Sequence, residues 1–101
     1  MNEYHEKRFR INEAEIDILC LKLELTGYQT EEVKRHYYKV LEHYLSQGRK
    51  LELTIGALAY YVLKKNEYPR KMSEIAKAFK VNEKLLFKAL RKIKREVMLK
   101  Y

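Results

Sequence analysis

Four basic residues near the end of the chain recur at intervals of four, three and four residues. They are Lys84, Lys88, Arg91 and Arg95. On a helix that turns 100° per residue they share one face, and the opposite face carries four apolar residues. These are Leu86, Leu90, Ile93 and Val97. Such a row of cations suits the phosphates of a nucleic acid, and a solvated face without a ligand is the alternative.

Charge is distributed unevenly along the 101 residues. Residues 64–101 contain 13 Lys and Arg against 4 Asp and Glu, whereas residues 1–63 contain 9 against 10, in keeping with the net charge of +8. A neutral front half joined to a basic back half predicts a polyanion-binding surface in the back half. A lysine-rich surface that serves solubility or heat tolerance is the alternative.

Residues typical of catalytic and metal centres do not form a convincing pattern. His36 and His43 stand seven apart with Glu32 nearby, but zinc usually takes three or four ligands, so we predict no metal site. A Ser/His/Asp order, a phosphate-cradling glycine loop and paired catalytic carboxylates are all missing from the sequence. We therefore expect no enzyme, no cofactor and no small-molecule substrate.

Several classes of location are also disfavoured. No apolar run reaches about 18 residues, which predicts no membrane span and no membrane partner. The charged start MNEYHEKRFR lacks the apolar core of a signal peptide. The single Cys20 excludes an internal disulfide and is expected to be a small packing residue. We expect an intracellular protein, in the cytoplasm or nucleoid of a prokaryote or the nucleus of a eukaryote.

Helical spacing throughout, with only three glycines and one proline, predicts one all-α domain of five helices. Residues 1–10 are predicted as a frayed arm or as an extension of the first helix, and residues 11–101 as the domain. The first helix is expected from the N-cap Asn12 to Thr26-Gly27. Its inward residues are predicted to be Ile16, Leu19 and Leu23, with Ile18 and Leu25 beside them.

The second helix is expected from Thr30 to Gly48, and its inward residues follow the same periodicity. They are Val33, Tyr37, Val40 or Leu41, and Tyr44. The third helix, Leu51 to Lys65, is apolar all round and is predicted to be central, with Gly56 and two alanines permitting close helix approach. Tyr60 and Tyr61 are expected in the core with Tyr37 and Tyr44. Pro69 then ends the helical run.

The back half is predicted to form a helix-turn-helix at about residues 73–97. Ser73 is expected to cap a short fourth helix that ends near Lys80, and Asn82 a fifth that runs to Val97 or beyond. Ala76 permits the close crossing of the two helices, and five residues are expected to face inward. These are Ile75, Phe79, Val81, Leu86 and Leu90. Because Lys80 stands where glycine is frequent, we expect a somewhat different or longer turn.

Roles at a DNA surface follow from position in the motif. Residues near the start of the recognition helix reach base edges most easily. The base-edge candidates are Asn82, Glu83, Lys84, Phe87, Lys88 and Arg91. Basic residues at the motif's margins are expected to contact phosphates. The phosphate candidates are Arg70, Lys71, Lys77, Lys80, Lys92 and Arg95.

The stretch GRKLELTIGALAYYVLKKNEYPRKMSEIAKAFKVNEKLLFKAL, from Gly48 to Leu90, resembles the cyclin-like repeat of archaeal transcription factor B and eukaryotic transcription factor IIB. The resemblance rests on an ordered series of steps and extends upstream through LELTGYQTEEVK, residues 23–34. The steps are Gly48-Arg49-Lys50, Ala57-Leu58-Ala59-Tyr60, Pro69-Arg70-Lys71 and Glu74-Ile75-Ala76. The likeness covers about 80–90 residues, most of the domain.

The resemblance implies a five-helix cyclin fold whose helix-turn-helix grips promoter DNA beside the TATA box. Carried over by position, Arg70 and residues 82–91 would meet DNA. It also implies TATA-binding protein and RNA polymerase as partners, although this chain has one repeat and no cysteine ribbon. We therefore predict a DNA-binding transcription factor module. The alternative is a protein-interaction module that binds TATA-binding protein, polymerase or another acidic partner through the basic face.

Overall fold

Five α-helices form the part of the chain that the structure, a computed structural model, describes: residues 3–43 and 49–98, without the side chain of Met98. The helices are α1 (Glu3–Lys22), α2 (Gly27–Glu42), α3 (Leu51–Lys65), α4 (Met72–Phe79) and α5 (Glu83–Ile93). A π-helical turn, Lys94–Met98, continues α5. There is no β-strand in these ranges, so the predicted all-α class with five helices is confirmed.

Helix α3 lies at the centre and contacts the other four helices. Every residue from Leu53 to Ala59 is buried, as expected for a helix that is apolar on all sides. Gly56 is the point at which α4 and α5 meet it. A Cβ placed on Gly56 would lie 2.7 Å from Cδ2 of Leu86 and 3.3 Å from Cδ2 of Phe79. The close approach predicted for this glycine is confirmed.

The predicted inward faces are largely confirmed, with one error. The three main inward residues predicted for α1 are buried, and so are the inward residues of α2 that the structure describes. They are Ile16, Leu19 and Leu23 of α1, and Val33, Tyr37, Val40 and Leu41 of α2. Ile18 is 50% exposed, so its assignment to the core is wrong: α1 turns it away from the other helices. Tyr60 and Tyr61 are half-buried at the rim of the core. Tyr44 and Gly48 lie outside the described residues.

Helix α1 begins at Glu3 rather than near Asn12, so residues 3–10 take the second predicted alternative and extend the helix. Tertiary packing holds this extension, because the Phe9 ring lies 6.2 Å from that of Tyr37 and 5.8 Å from that of Tyr38. Asn12 is therefore not an N-cap. Its Nδ2 donates a hydrogen bond of 2.8 Å to the Tyr37 hydroxyl.

Two other helix starts differ from prediction. Thr26, not Thr30, caps α2: its Oγ1 accepts from the Gln29 amide at 3.1 Å, and Gln29 Oε1 accepts from the Thr26 amide at 2.9 Å. This reciprocal capping box satisfies two amides at once. Helix α4 begins at Met72, so Ser73 lies within its first turn and does not cap it.

Three helices end on a residue with left-handed backbone, and none of the three is glycine. They are Glu24, Glu67 and Lys80, with φ of 58°, 65° and 56°. After each, the next amide donates to the carbonyl five residues back. These bonds join Leu25 to Cys20, Tyr68 to Leu63 and Val81 to Ala76, at 3.1, 2.9 and 3.0 Å. Each is the pattern that a C-terminal glycine usually forms.

The left-handed Lys80 allows a short turn, residues 80–82, to join α4 and α5. Lys80 adopts the conformation that glycine would take, so the expectation of a different or longer turn is wrong. A non-glycine residue in this region costs on the order of 1 kcal/mol. The bond from the Val81 amide and the packing of α5 on α3 hold the strained residue in place.

We predict that Gly56→Ala destabilises the domain by about 1–2 kcal/mol. The added methyl displaces the buried Leu86 side chain, at a cost of about 1–3 kcal/mol, and better helix propensity returns less than about 1 kcal/mol. Urea unfolding measures the difference. The control is Gly27→Ala, because nothing lies within 4 Å of a Cβ there. A Gly56→Ala variant as stable as the native chain would contradict this packing.

We predict that Lys80→Gly leaves stability unchanged or raises it by up to about 1 kcal/mol, because relief of the left-handed strain offsets the flexibility of glycine. Lys80→Val is expected to lose at least about 1 kcal/mol. Lys77→Gly, at an exposed interior position of α4, is the matched control and should lose about 1 kcal/mol. If Lys80→Gly and Lys77→Gly lose equally, Lys80 is not left-handed in solution.

Candidate nucleic-acid interface

Packing on α3 fixes which face of α5 points outward. Leu86, Ala89 and Ile93 are fully buried, and Leu90 is nearly so. The face directly opposite must therefore lie in solvent. All four members of the predicted cationic row are exposed: Lys84, Lys88, Arg91 and Arg95. Lys92, one position beside the row, is exposed as well.

The start of α5 is held by its N-cap. Oδ1 of Asn82 accepts hydrogen bonds from the amides of Lys84 and Leu85, at 2.8 and 3.3 Å, which confirms the predicted cap. Because the side-chain oxygen of Asn82 is engaged in this way, a base contact by this residue would come from its NH2 group. Glu83 occupies the first turn, where the positive end of the helix dipole favours an acid.

Within the described residues, the charges of the row have few carboxylate partners. Lys84, Lys88 and Arg91 form no ion pair with any carboxylate of residues 3–43 or 49–98. Arg95 has a partner, since its Nε lies 3.5 Å from Oε1 of the neighbouring Glu96. Both of these side chains are largely exposed, and an exposed pair of this kind contributes little.

Two clefts flank α5 and share Arg49 and Lys88. The first, of about 480 Å³, is lined only by cations: Arg49, Lys88, Arg91, Lys92 and Arg95. The second, of about 470 Å³, combines cations with apolar side chains beside the turn. Its lining is Arg49, Lys50, Leu53, Lys80, Val81, Asn82, Leu85 and Lys88. Lys80, Lys88, Lys92 and Arg95 are thus brought to one surface.

Sequence reasoning missed Arg49 and Lys50 as members of this surface. They precede α3, about 40 residues before the cationic row, and only the docking of α5 on α3 brings them beside it. The available signal was their adjacency to Gly48, which served only as a mark of family resemblance.

Three of the predicted phosphate residues lie apart from the α5 clefts. Arg70 lines a separate cleft of about 610 Å³, and its Nη2 lies 3.9 Å from Oε2 of Glu24. Lys71 and Lys77 are exposed on and before α4, and neither lines the two clefts beside α5. The structure therefore divides the predicted phosphate residues between two surfaces.

Phe87 lies on the flank of α5, outside the cationic row. Its ring centroid is 6.4 Å from that of Tyr60 on α3, with the planes inclined at 67°. Lys64 Nζ lies 5.9 Å from the centroid of the same tyrosine ring. An edge-on pair of this kind supports the α3–α5 contact, and the exposed part of Phe87 still borders the row.

The residues weighed for metal binding lie on α2 and just after it, away from the cationic row. No three His, Cys, Asp or Glu side chains are arranged for a metal ion in the described ranges. His36 packs edge-on against Tyr61 at 5.5 Å, and burial lowers its pKa although nearby Glu32 opposes the shift.

Burial raises the pKa of the Cys20 thiol to about 11, in keeping with a packing role. None of the described helices has the length and apolarity that crossing a bilayer requires.

Comparison with known proteins gives a consistent family. The profile described as "Transcription factor TFIIB repeat" matches residues 6–96. Transcription initiation factor IIB of Ignicoccus hospitalis is 32% identical over 95 residues, which are 94% of this chain and 30% of that protein. Transcription initiation factor IIB 1 of Thermococcus kodakarensis is 31% identical over 86 residues, 85% of this chain and 29% of that protein.

The chain thus spans less than a third of the length of these curated relatives. A comparison with solved structures gave no significant match. The match over residues 6–96 covers all five helices and the clefts beside α5. The resemblance noted in the sequence is confirmed, and the chain belongs to the transcription factor TFIIB repeat family, with that family's cyclin-like all-α fold.

Proposed function

We propose that this repeat binds duplex DNA, with α4 and α5 as a helix-turn-helix and α5 as the recognition helix. The observation that carries the proposal is the exposed row on α5. Lys84, Lys88 and Arg91 project from a helix whose other face is buried, and none of them pairs with a carboxylate in the described part of the chain. Like charges on one face repel one another, and a polyanion relieves that repulsion.

The proposed docking places α5 in the major groove, which is wide enough to admit a helix. The base-edge contacts then come from the first turns of α5: Asn82, Glu83, Lys84, Phe87, Lys88 and Arg91. The phosphate contacts come from both margins: Arg70, Lys71, Lys77, Lys80, Lys92 and Arg95. We add Arg49 and Lys50 to the phosphate set, because Arg49 lines both clefts beside Lys88 and Lys50 lines one of them.

The relatives are named transcription initiation factors, and we extend that role to this chain as a proposal. The repeat would act by binding promoter DNA, not by catalysis, within the compartment that holds the genome. TATA-binding protein and RNA polymerase are the proposed protein partners. Because the chain matches under a third of each relative, we extend only part of those proteins' role to it.

A protein-interaction role is the second candidate, and the mixed cleft beside the turn favours it. Leu53, Val81 and Leu85 offer apolar contacts there, amid the charges of Lys50 and Lys80. An acidic segment with apolar anchors would match this combination. DNA binding accounts for the neighbouring all-cation cleft, which shares Arg49 and Lys88 with the mixed cleft and offers no apolar anchor.

We predict that the chain binds a random-sequence duplex and that the logarithm of affinity falls linearly with the logarithm of salt concentration. Lys88→Gln together with Arg91→Gln should lower the slope by about 0.9 for each phosphate that the variant no longer neutralises. Fluorescence anisotropy of a labelled duplex, at several salt concentrations, measures both the affinity and the slope.

The matched control is Arg35→Gln together with Lys39→Gln, which removes the same charge from α2. If only net charge mattered, both pairs would weaken binding equally. An unchanged slope in the α5 variant would place the DNA site elsewhere. Absence of binding at low salt would reject DNA binding in favour of the protein-interaction candidate. Selection from a duplex pool then tests for a preferred sequence.

A further inference from the structure

Helix α1 carries a second apolar row on the face that points away from the core. Its inner face is fully buried through Ile16, Leu19 and Leu23. On the opposite face Ile11 is 75% exposed, Ile18 50% and Leu21 73%. Isolated apolar residues on a surface are common, but an ordered row along a 20-residue helix needs a partner to cover it.

The outer row follows a heptad spacing, with alternate steps of three and four residues. Its members are Tyr4, Lys7, Ile11, Ala14, Ile18 and Leu21. All six are exposed. This is the spacing of a coiled-coil seam. Isoleucine at the first seam position with leucine at the second, as at Ile18 and Leu21, favours two parallel strands. Lys7 occupies a seam position and should weaken the association.

Charges beside the seam identify the partner that fits. In a parallel pair, a residue just before one seam position lies beside the partner residue five places further along. The three such combinations in α1 all join opposite charges. They are Glu3 with Arg8, Arg10 with Glu15, and Asp17 with Lys22. A second copy of the chain would form each pair twice, because the interface is twofold symmetric.

Contacts within one chain leave these charged groups accessible. Arg10 Nη2 lies 2.8 Å from Oε1 of Glu6, yet the Arg10 side chain is 72% exposed. Asp17 Oδ1 lies 2.8 Å from Nζ of Lys34, and the Asp17 side chain is 54% exposed. Surface pairs are individually weak, so we assign the apolar row the affinity and the charges the choice of orientation.

We propose that the outer face of α1 docks on the same face of a second copy of this chain, with the two helices parallel. The row on α5 lies on a different helix from this face, so the proposal is independent of DNA binding. Its consequence is a twofold dimer joined through α1.

The first test is the mass of the full chain by sedimentation equilibrium over a range of concentrations. The native chain should rise from the 12.3 kDa of one copy toward twice that mass. Ile11→Lys together with Ile18→Lys should remain at one copy with an unchanged circular dichroism spectrum. Tyr28→Lys, an equally exposed apolar residue outside the row, should still associate. A native chain that stays at one copy overturns the proposal.

The second test uses two charge variants, Arg10→Glu and Glu15→Lys. Each alone places like charges at two sites of a parallel homodimer and should associate more weakly than the native chain. An equimolar mixture should restore association, because each site then joins opposite charges. In an antiparallel pair Arg10 and Glu15 face other residues, so mixing would restore nothing. Association of the native chain without recovery in the mixture overturns the parallel arrangement proposed here.

Discussion

Because Gly56 has no side chain, α4 and α5 can pack closely against the central helix α3. Side-chain atoms of Leu86, Phe79 and Ile75 converge on this glycine and would lie 2.7, 3.3 and 3.4 Å from a Cβ placed there. Helices α4 and α5 therefore both contact the central helix beside Gly56. The close packing of Leu86 at Gly56, together with the burial of Ala89, Leu90 and Ile93, fixes which face of α5 points outward.

Burial, not electrostatics, decides that orientation. Fully burying a side chain such as Leu86 or Ile93 contributes about 1.5–3 kcal/mol, whereas an exposed ion pair contributes about 0–1 kcal/mol. The apolar face of α5 therefore determines where the cations point, although their mutual repulsion opposes it. Burial likewise determines the orientation of α1, whose inner face packs on the core. Its heptad row is the part of the helix surface that the rest of the domain does not cover. The two helices give the domain two outward faces of opposite character, one cationic and one apolar.

Most of the fold could be predicted from periodicity, because long amphipathic runs and an all-apolar central helix leave few alternatives. The errors lie at helix ends, where local contacts decide. Thr26 is the cap of α2 because Gln29 completes its capping box. Residues 3–10 are helical because Phe9 packs on two tyrosines of α2, a contact between distant parts of the sequence.

The C-terminal ends of the helices were also difficult to predict from the sequence. Glycine is the usual mark of a left-handed terminator, but Glu24, Glu67 and Lys80 occupy that conformation here. At each of these ends the next amide donates to the carbonyl five residues back, and the left-handed residue is kept despite a cost of about 1 kcal/mol. The cationic row could be predicted because it lies on one helix. Arg49 and Lys50 could not, because only the packed helices bring them to it.

The most direct measurement is the set of backbone amide shifts in a ¹H–¹⁵N spectrum as an unlabelled duplex is added. We expect the largest shift changes in residues 80–95 and smaller changes in residues 49 and 50. The amide shifts of α1 should not change. Changes centred on α1 and α2, with residues 84–91 undisturbed, would contradict the claim that packing on Gly56 presents α5 to DNA.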